Sequence, residues 1–300
     1  MSMKVVGQGH IESIDVRFVL CDLFGHDVLQ KNLSALDLPI GSAYSKAMDK
    51  YIIEGRYPIK GTLTLSGNKN AALPCIAASV LAQEPVTLRN IPAIEDVAVM
   101  FDVFRYLGGL VEQIDTHSWC LDPRSISKCE VPEELAKKVR ASILFAGPLV
   151  ARFGKAILPP PGGDTIGRRR IDTHIVALQE LGARISLENT LGFSATKLVG
   201  VPVFLDEASV TGTENAIMAA SLAEGTTILM NAACEPHVQD LCRMLIQMGA
   251  DIDGVGSNRL IIQGAKSLNG TDFTISADYM ELGSFIGLAA VTGGDLRIDG

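Results

Sequence analysis

Two hydrophobic patterns alternate along the chain from Tyr51 onward. The first is apolar on nearly every side. Ala71 to Leu81, Ala141 to Val150, Ala216 to Leu222 and Phe285 to Val291 are rich in Ala, Ile and Leu, with no polar stripe. A helix of that kind has no face suited to water and belongs in a core. Each feeds a short strand-like run: Val86-Thr87-Leu88, Ala156-Ile157-Leu158, Thr226-Thr227-Ile228-Leu229 and Asp295-Leu296-Arg297-Ile298.

The second pattern has one apolar face. Val103/Phe104, Ala177/Leu178 and Met244/Leu245 keep helical spacing. Each is followed by an apolar residue, a glycine and a strand: Leu107-Gly108-Gly109-Leu110-Val111, Leu181-Gly182-Ala183-Arg184-Ile185 and Met248-Gly249-Ala250-Asp251-Ile252. The glycine suits the position just past a helix, where φ is commonly positive.

The apolar helices are expected to begin near Asn70, Arg140, Thr213 and Glu281, so the repeat is about 70 residues long. Solenoid repeats run only to about 50 residues. The pattern predicts a globular α/β domain with internal threefold pseudo-symmetry. A fourth unit shows its first helix and strand before Gly300, and the chain reads as cut inside it. Residues 1–47 fall outside the repeat and read as an extension ahead of Met48 with no assigned role. Within them Val16 to Leu23 suggests a short strand and Lys31 to Tyr44 a loop.

Composition narrows the class. Of 300 residues, 47% are apolar and 20% charged, which is ordinary for a globular chain. The net charge of −8 disfavours nucleic acid as a partner. The six cysteines (Cys21, Cys75, Cys120, Cys129, Cys234 and Cys242) form no CxxC pair and do not group with histidines. They read as reduced thiols with no metal site. The N-terminal stretch is interrupted by Glu12, Asp15, Arg17 and Asp22, unlike a signal peptide. No apolar run reaches 18 residues, so no membrane span is expected and a cytoplasmic location is the default.

Candidate chemistry concentrates in one stretch, Pro159-Pro160-Pro161-Gly162-Gly163-Asp164-Thr165-Ile166-Gly167-Arg168-Arg169-Arg170-Ile171-Asp172-Thr173-His174. Prolines and glycines make it a shaped loop. On residue types alone it is either a solvated turn or an anion site with an acid beside it. Guanidinium groups grip phosphate and carboxylate through paired hydrogen bonds.

Further runs carry a resemblance. Ser66-Gly67-Asn68-Lys69-Asn70-Ala71-Ala72-Leu73-Pro74, Arg140-Ala141-Ser142-Ile143, Gly147-Pro148-Leu149-Val150-Ala151-Arg152-Phe153-Gly154, the proline-rich loop, Ser209-Val210-Thr211-Gly212-Thr213-Glu214-Asn215 and Leu222-Ala223-Glu224-Gly225-Thr226-Thr227 resemble the UDP-N-acetylglucosamine 1-carboxyvinyltransferases, a branch of the enolpyruvyl transferases. The likeness covers roughly residues 48 to 300. Lys69 followed by Asn70 differs from the Ser-Lys-Ser context of the sister enzymes that make 5-enolpyruvylshikimate 3-phosphate.

The resemblance implies an inside-out α/β barrel, with two domains of three βαβαββ units each around a helical core. It assigns residues 69–277 to one domain, and residues 48–68 and 278–300 to pieces of a second that is mostly missing. It implies transfer of enolpyruvyl from phosphoenolpyruvate to the 3′-hydroxyl of UDP-N-acetylglucosamine, with release of phosphate and no cofactor. That reaction is the first committed step of peptidoglycan synthesis, on which cell-wall growth, cell shape and division depend.

Site residues follow by the same resemblance. Lys69 and Asn70 face phosphate at a helix start, where free N–H groups assist. On residue type alone Asn70 is equally a helix cap and Lys69 a solvated cation. Arg140 is expected near the UDP-sugar and Arg169 at phosphoenolpyruvate. Arg169, Arg170, Ile171, Asp172 and Thr173 match the nucleotide-contacting run, and His174 a histidine near uridine. A lone histidine there also suits a purely structural role. Ser209 and Val210 match the diphosphate-binding turn. Glu207 stands where some relatives carry a basic residue. Asp164 occupies the place of the usual catalytic cysteine. It is expected to act as general acid, and to leave fosfomycin no thiolate to alkylate.

Two other readings stay open at this level: a transferase for another hydroxyl acceptor, and a truncated, non-catalytic UDP-sugar-binding paralogue. The chain as written carries half of the family's active site and is expected to be inactive alone. The oligomeric state is not indicated.

Overall fold

A computed structural model describes residues 57–163, 170–187 and 190–300. The readings placed on residues 1–47 lie outside this range. The described residues fall into two compact units, one of residues 66–279 and one holding residues 57–65 and 280–300.

The larger unit is built from three repeats. In the first, helix α1 (Lys69–Ala78) runs through a 3-10 turn (Ser79–Leu81) to strand β2 (Val86–Arg89), then helix α2 (Glu95–Tyr106) and the hairpin β3 (Leu110–Asp115)/β4 (Ser118–Asp122). The second follows a short helix, α3 (Glu133–Ala136). A 3-10 helix (Arg140–Phe145) runs into α4 (Ala146–Phe153), then β5 (Lys155–Leu158), α5 (Asp172–Glu180) and the hairpin β6 (Arg184–Leu187)/β7 (Leu191–Ser194). The third has β8 (Pro202–Phe204), α6 (Val210–Ala220), β9 (Thr226–Met230), α7 (Pro236–Gln247), the hairpin β10 (Asp251–Asp253)/β11 (Arg259–Gln263) and β12 (Asp272–Thr274).

The helices that are apolar all round are the core. Ala71 to Ala78 in α1 and Gly212 to Ala220 in α6 are buried without a break. α6 packs on both α4 and α5, and α1 on α2, α7 and the 140–145 turn. The sheets lie outside them in the orders β12-β2-β4-β3, β5-β7-β6 and β10-β11-β9-β8. Apart from β3, β4 and β6, their strands alternate buried with more exposed residues, as in β11, which is the pattern of a sheet with one wet face. Helices inside and sheets outside make this the inside-out α/β fold.

Three features close the ring of repeats. β8 pairs parallel with β9, and Glu130 bridges in parallel to Ile157 of β5. The first repeat receives its matching strand from the far end of the unit, because β12 pairs parallel with β2 in the register Phe273↔Leu88. Where the chain enters and leaves the unit its two segments run together. The Asn68 N–H donates to Ser276 O, the Asp278 N–H to Ser66 O, and Gly67 bridges Ala277. Buried Asp240 accepts from both the N–H and the hydroxyl of Ser276.

The smaller unit contains β1 (Lys60–Thr64) paired parallel with β13 (Asp295–Asp299), and most of helix α8 (Tyr279–Thr292). α8 is as apolar as α1 and α6, yet none of its residues is buried.

The three repeat glycines behave alike. Gly108, Gly182 and Gly249 have φ of +107°, +100° and +104°. The following N–H groups of Gly109, Ala183 and Ala250 reach back to the carbonyls of Phe104, Leu178 and Leu245 at 2.9–3.0 Å. Each helix therefore ends in a Schellman motif that satisfies its last carbonyls. A Cβ at Gly182 or Gly249 would meet nothing closer than 3.7 Å, whereas one at Gly108 would lie 2.7 Å from the Ser125 carbonyl oxygen. Gly182→Ala and Gly249→Ala are thus expected to lose only the backbone term, ~1–3 kcal/mol. Gly108→Ala should lose more. Urea unfolding of the three variants checks this ranking, and equal losses would show that the clash at Gly108 is absorbed.

Candidate functional site

The first and third repeats make the same turn after their core strands. Asn90 and Asn231 both have φ of +57°. Asn90 Nδ2 donates to Ile275 O and Asn231 Nδ2 to Leu205 O, each at 2.9 Å. Each asparagine thus ties its core strand to the end of the parallel neighbour, and residues 90–94 or 231–235 suffice to reach the next helix. Asparagine tolerates this left-handed conformation better than most residues.

The second repeat has Pro159 at that position, and proline cannot adopt positive φ. The chain instead takes residues 159–171 to reach α5. The candidate loop is therefore an enlargement of a turn that the other two repeats keep short. Its first stem is pinned to the chain before Arg140. The Gly162 N–H donates to Ala136 O at 2.9 Å and the Gly163 N–H to Lys137 O at 3.2 Å. A side chain at Gly162 would strike the Lys137 carbonyl oxygen at 2.0 Å. On the other stem Arg140 Nη2 donates to Arg170 O at 2.8 Å. Both stems thus meet the Arg140 turn. Asp164 and Arg169 lie outside the described residues.

From Arg170 onward the predicted residues are brought together. Arg170 Nε donates to Asp172 Oδ2 at 2.5 Å, and this pairing raises the guanidinium pKa, with Asp206 and Glu207 adding to it. Ile171 is the half-buried residue that caps α5. Thr173 is buried, and its hydroxyl donates to Asp206 Oδ1 at 2.9 Å. Ser209 caps α6 by accepting from the Gly212 N–H at 3.3 Å, and Val210 opens that helix. Gly212 lies so close to Thr173 that an added Cβ would stand 2.8 Å from its methyl group.

His174 joins these segments from inside. It is 1% exposed. Nδ1 lies 2.7 Å from Asn215 Nδ2, and Nε2 lies 3.1 Å from Thr211 Oγ1. The neighbours decide which nitrogen holds the proton. The Gly147 N–H can only donate, so the Asn215 atom 2.8 Å from it is the carbonyl oxygen. The Ile143 carbonyl can only accept, and it takes an N–H of the same amide at 2.9 Å. The other N–H of that amide then points at His174 Nδ1, which must accept. Nε2 therefore carries the hydrogen and donates to Thr211. Burial and then the charge of Arg140 push the His174 pKa down to about 3.

Lys69 enters from α1. Its Nζ is held 2.9 Å from Asp96 Oδ2, with both side chains over a third exposed. The helix cap is Asn68 and not Asn70, since Asn68 Oδ1 accepts from the N–H groups of Asn70 and Ala71 at 2.8 and 3.3 Å. The helix opens one residue earlier than the apolar run suggested, and Asn70 sits half-buried in its first turn. Pro74 has no N–H to give the Asn70 carbonyl. Asp96, Asp206, Thr211 and Asn215 were not singled out from the sequence. Only Asn215, a polar residue inside an apolar helix, left a signal there.

Among the described residues no group of three or more metal-ligating side chains occurs, and no helix is long and apolar enough to cross a membrane. Cys75, Cys120, Cys129, Cys234 and Cys242 are free thiols.

Helices inside and sheets outside, in three repeats, place the chain in the inside-out α/β class. Over residues 53–300 the chain matches the family described as EPSP synthase (3-phosphoshikimate 1-carboxyvinyltransferase), and it belongs to that family. It is 64% identical over 251 residues to the UDP-N-acetylglucosamine 1-carboxyvinyltransferase of Treponema denticola and 61% identical over 251 residues to that of Treponema pallidum. The Borreliella burgdorferi enzyme of the same name is 54% identical over 252 residues. Each match covers 84% of this chain and 59% of the relative, so the chain spans 59% of the length of these curated relatives. Among solved structures, the enolpyruvyl transferase NikO from Streptomyces tendae superposes with a TM-score of 0.67 at 23% identity, over 77% of this chain and 55% of its own. EPSP synthase from Acinetobacter baumannii gives 0.62 at 20%, over 77% and 53%. These last two likenesses are of fold.

The His174 environment has a pH consequence. The folded protein holds the ring neutral down to about pH 3, while an unfolded histidine protonates near 6.5. Between those values unfolding takes up a proton, so this group makes stability rise with pH, by at most ~1.4 kcal/mol per unit, and adds no slope above 6.5. Glu214, whose carboxyl is pushed up by burial and by Glu235, works in the opposite sense above the ordinary glutamate range. The test is therefore a comparison: His174→Gln should lose about one proton of slope between pH 4 and 6 in urea unfolding. An unchanged slope would mean that the ring is protonated in the folded state.

Proposed function

We propose that this chain carries part of the active site of a UDP-N-acetylglucosamine 1-carboxyvinyltransferase. The reaction moves enolpyruvyl from phosphoenolpyruvate to the sugar 3′-hydroxyl and releases phosphate, in peptidoglycan synthesis in the cytoplasm. The observation that carries this reading is the 64% identity to the Treponema denticola enzyme over 251 residues. The convergence of the Arg140 turn, the 170–174 run and the α6 start supports it.

The chemistry asks for an acid, a base and cations. A proton goes to the methylene carbon of phosphoenolpyruvate as the sugar oxygen bonds to the neighbouring carbon. Loss of the hydroxyl proton to a base completes the addition. Elimination then removes a proton from the new methyl group and breaks the carbon–oxygen bond to phosphate, which restores the double bond. Asp164 supplies the first proton, and the resemblance puts the base in a second domain. Lys69, Arg140 and Arg169 hold the anionic groups. Asn70, Arg170, Ile171, Asp172, Thr173, His174, Ser209 and Val210 shape the nucleotide side. Lys69 is paired with Asp96 in this structure, so phosphate has to compete with a carboxylate for it.

Residues 69–277 serve as one domain of the transferase, and residues 48–68 and 278–300 belong to a second. α8 has the apolar composition of a core helix, which suits the centre of that second domain.

Calorimetric titration with UDP-N-acetylglucosamine tests the acceptor. The 300-residue chain should bind it one to one, and Arg140→Ala should weaken binding at least tenfold, the scale of a lost charge-assisted contact at about 1.4 kcal/mol. Binding of shikimate 3-phosphate in its place would reassign the acceptor.

Asp164 in the usual cysteine position carries a second expectation. A carboxylate is not the soft thiolate that an epoxide drug alkylates. Intact mass after incubation with fosfomycin should be unchanged for the natural chain and should rise by one adduct for Asp164→Cys. An adduct at Asp164 itself would remove the basis for predicted resistance.

A further inference from the structure

Asn215 lies in the middle of α6, in the core, with no exposed surface. A polar side chain so placed is costly unless every group on it is paired. Its oxygen and both of its N–H groups are paired, and each goes to a different piece of backbone or ring. Oδ1 accepts from the Gly147 N–H at the start of α4. Nδ2 donates to the Ile143 carbonyl, in the 3-10 helix that Arg140 opens. Its second hydrogen goes to His174 Nδ1, on the helix that follows the candidate loop. α4 comes this close because residue 147 is glycine. A Cβ there would lie 2.6 Å from the Asn215 carbonyl oxygen and 2.8 Å from its Oδ1.

The consequence extends beyond packing. Because Asn215 donates to Nδ1, the His174 hydrogen sits on Nε2 and is given to Thr211, two residues after the Ser209 cap. One amide thereby sets the distance between the Arg140 turn, the 170–174 run and the α6 start. We infer that Asn215 is a positioning residue for the UDP-sugar side of the site, acting through a fixed Nε2–H tautomer of His174. This rests on the UDP-N-acetylglucosamine reading above. It makes His174 a neutral internal strut, not a cation that meets the nucleotide. The residues that contact ligand are placed by a group that touches none of it.

Asn215→Asp is the informative change. It nearly preserves shape and still accepts from Gly147, but it has no N–H for Ile143 or for His174. An ionised carboxylate can only accept, so opposite it His174 holds a hydrogen on Nδ1. Nitrogen-15 NMR of the ring reads the tautomer, and calorimetry with UDP-N-acetylglucosamine reads the positioning. The natural chain should show a neutral Nε2–H ring from pH 5 to 8. Asn215→Asp should show a protonated Nδ1 and an affinity at least tenfold weaker. A switched tautomer with unchanged affinity would overturn the positioning role and leave a core residue. A natural chain with hydrogen on Nδ1 would overturn the lock itself. If the natural chain shows the Nε2–H ring and binds no UDP-sugar, the functional reading fails and the lock stands. Should Asn215→Asp not fold, Thr211→Val takes its place. It removes the acceptor at the far end, and should keep the tautomer while weakening binding threefold or more. Unchanged binding there would count against the inference.

Discussion

The larger unit depends on a pairing between its two ends. β12, at Asp272–Thr274, lies parallel to β2, at Val86–Arg89. Without it the first sheet has an open edge and the ring of three repeats is not closed. The join is reinforced on both sides. Arg89 grips Asp272 through two hydrogen bonds of 2.7 and 2.6 Å, the Ile275 N–H donates to Arg89 O, and Asn90 holds the Ile275 carbonyl. The ion pair is exposed, so solvent screening leaves it a small contribution. Burial of Phe273 and Ile275 contributes more, at about 1.5–3 kcal/mol for a large apolar side chain. The partners are 183 residues apart in the chain, so the loop-closure cost comes before the gain.

That closure makes the repeats equivalent, and equivalence shows what the second repeat has changed. Two repeats turn on a left-handed asparagine, while the second carries Pro159 and diverts into a long loop. The first stem of that loop bonds to Ala136 and Lys137, just before the 140–145 turn, and the turn's Arg140 donates to the second stem. The short helix there is 3-10 in form, so its backbone groups are less fully paired than those of a long α-helix. Asn215 reaches that segment and takes the carbonyl of Ile143.

A core of small side chains has a second effect. Helices of Ala and Gly allow backbones to approach closely, as Gly147 does to α6. Close approach brings peptide groups within reach of any polar side chain in the interior. A fully paired polar network in such a setting holds its geometry tightly, because breaking one bond leaves a buried group unsatisfied. The Asn215–His174–Thr211 line is of this kind. Glu214, its neighbour in sequence, differs. Glu214 Oε1 has no partner, and burial keeps its carboxyl protonated well above the usual range.

Much of this fold was legible from the chain alone. The all-apolar helices, the three Gly-ended helices and the spacing of about 70 residues are local signals, set by side-chain polarity and by backbone conformations only glycine favours. They located the core helices, the strands after them and the Schellman ends. The proline-rich loop was visible as chemistry because prolines, glycines and arginines announce themselves by type. Pairings between distant residues were not visible. Nothing local says that β12 completes the first sheet, that Asn68 rather than Asn70 caps α1, that Asp96 holds Lys69, or that Asn215 faces His174 across three segments. Those depend on which backbone groups lie opposite one another once the helices are packed. A hydrogen bond is decided by distances of a few tenths of an ångström, which residue order does not encode and the tertiary structure does.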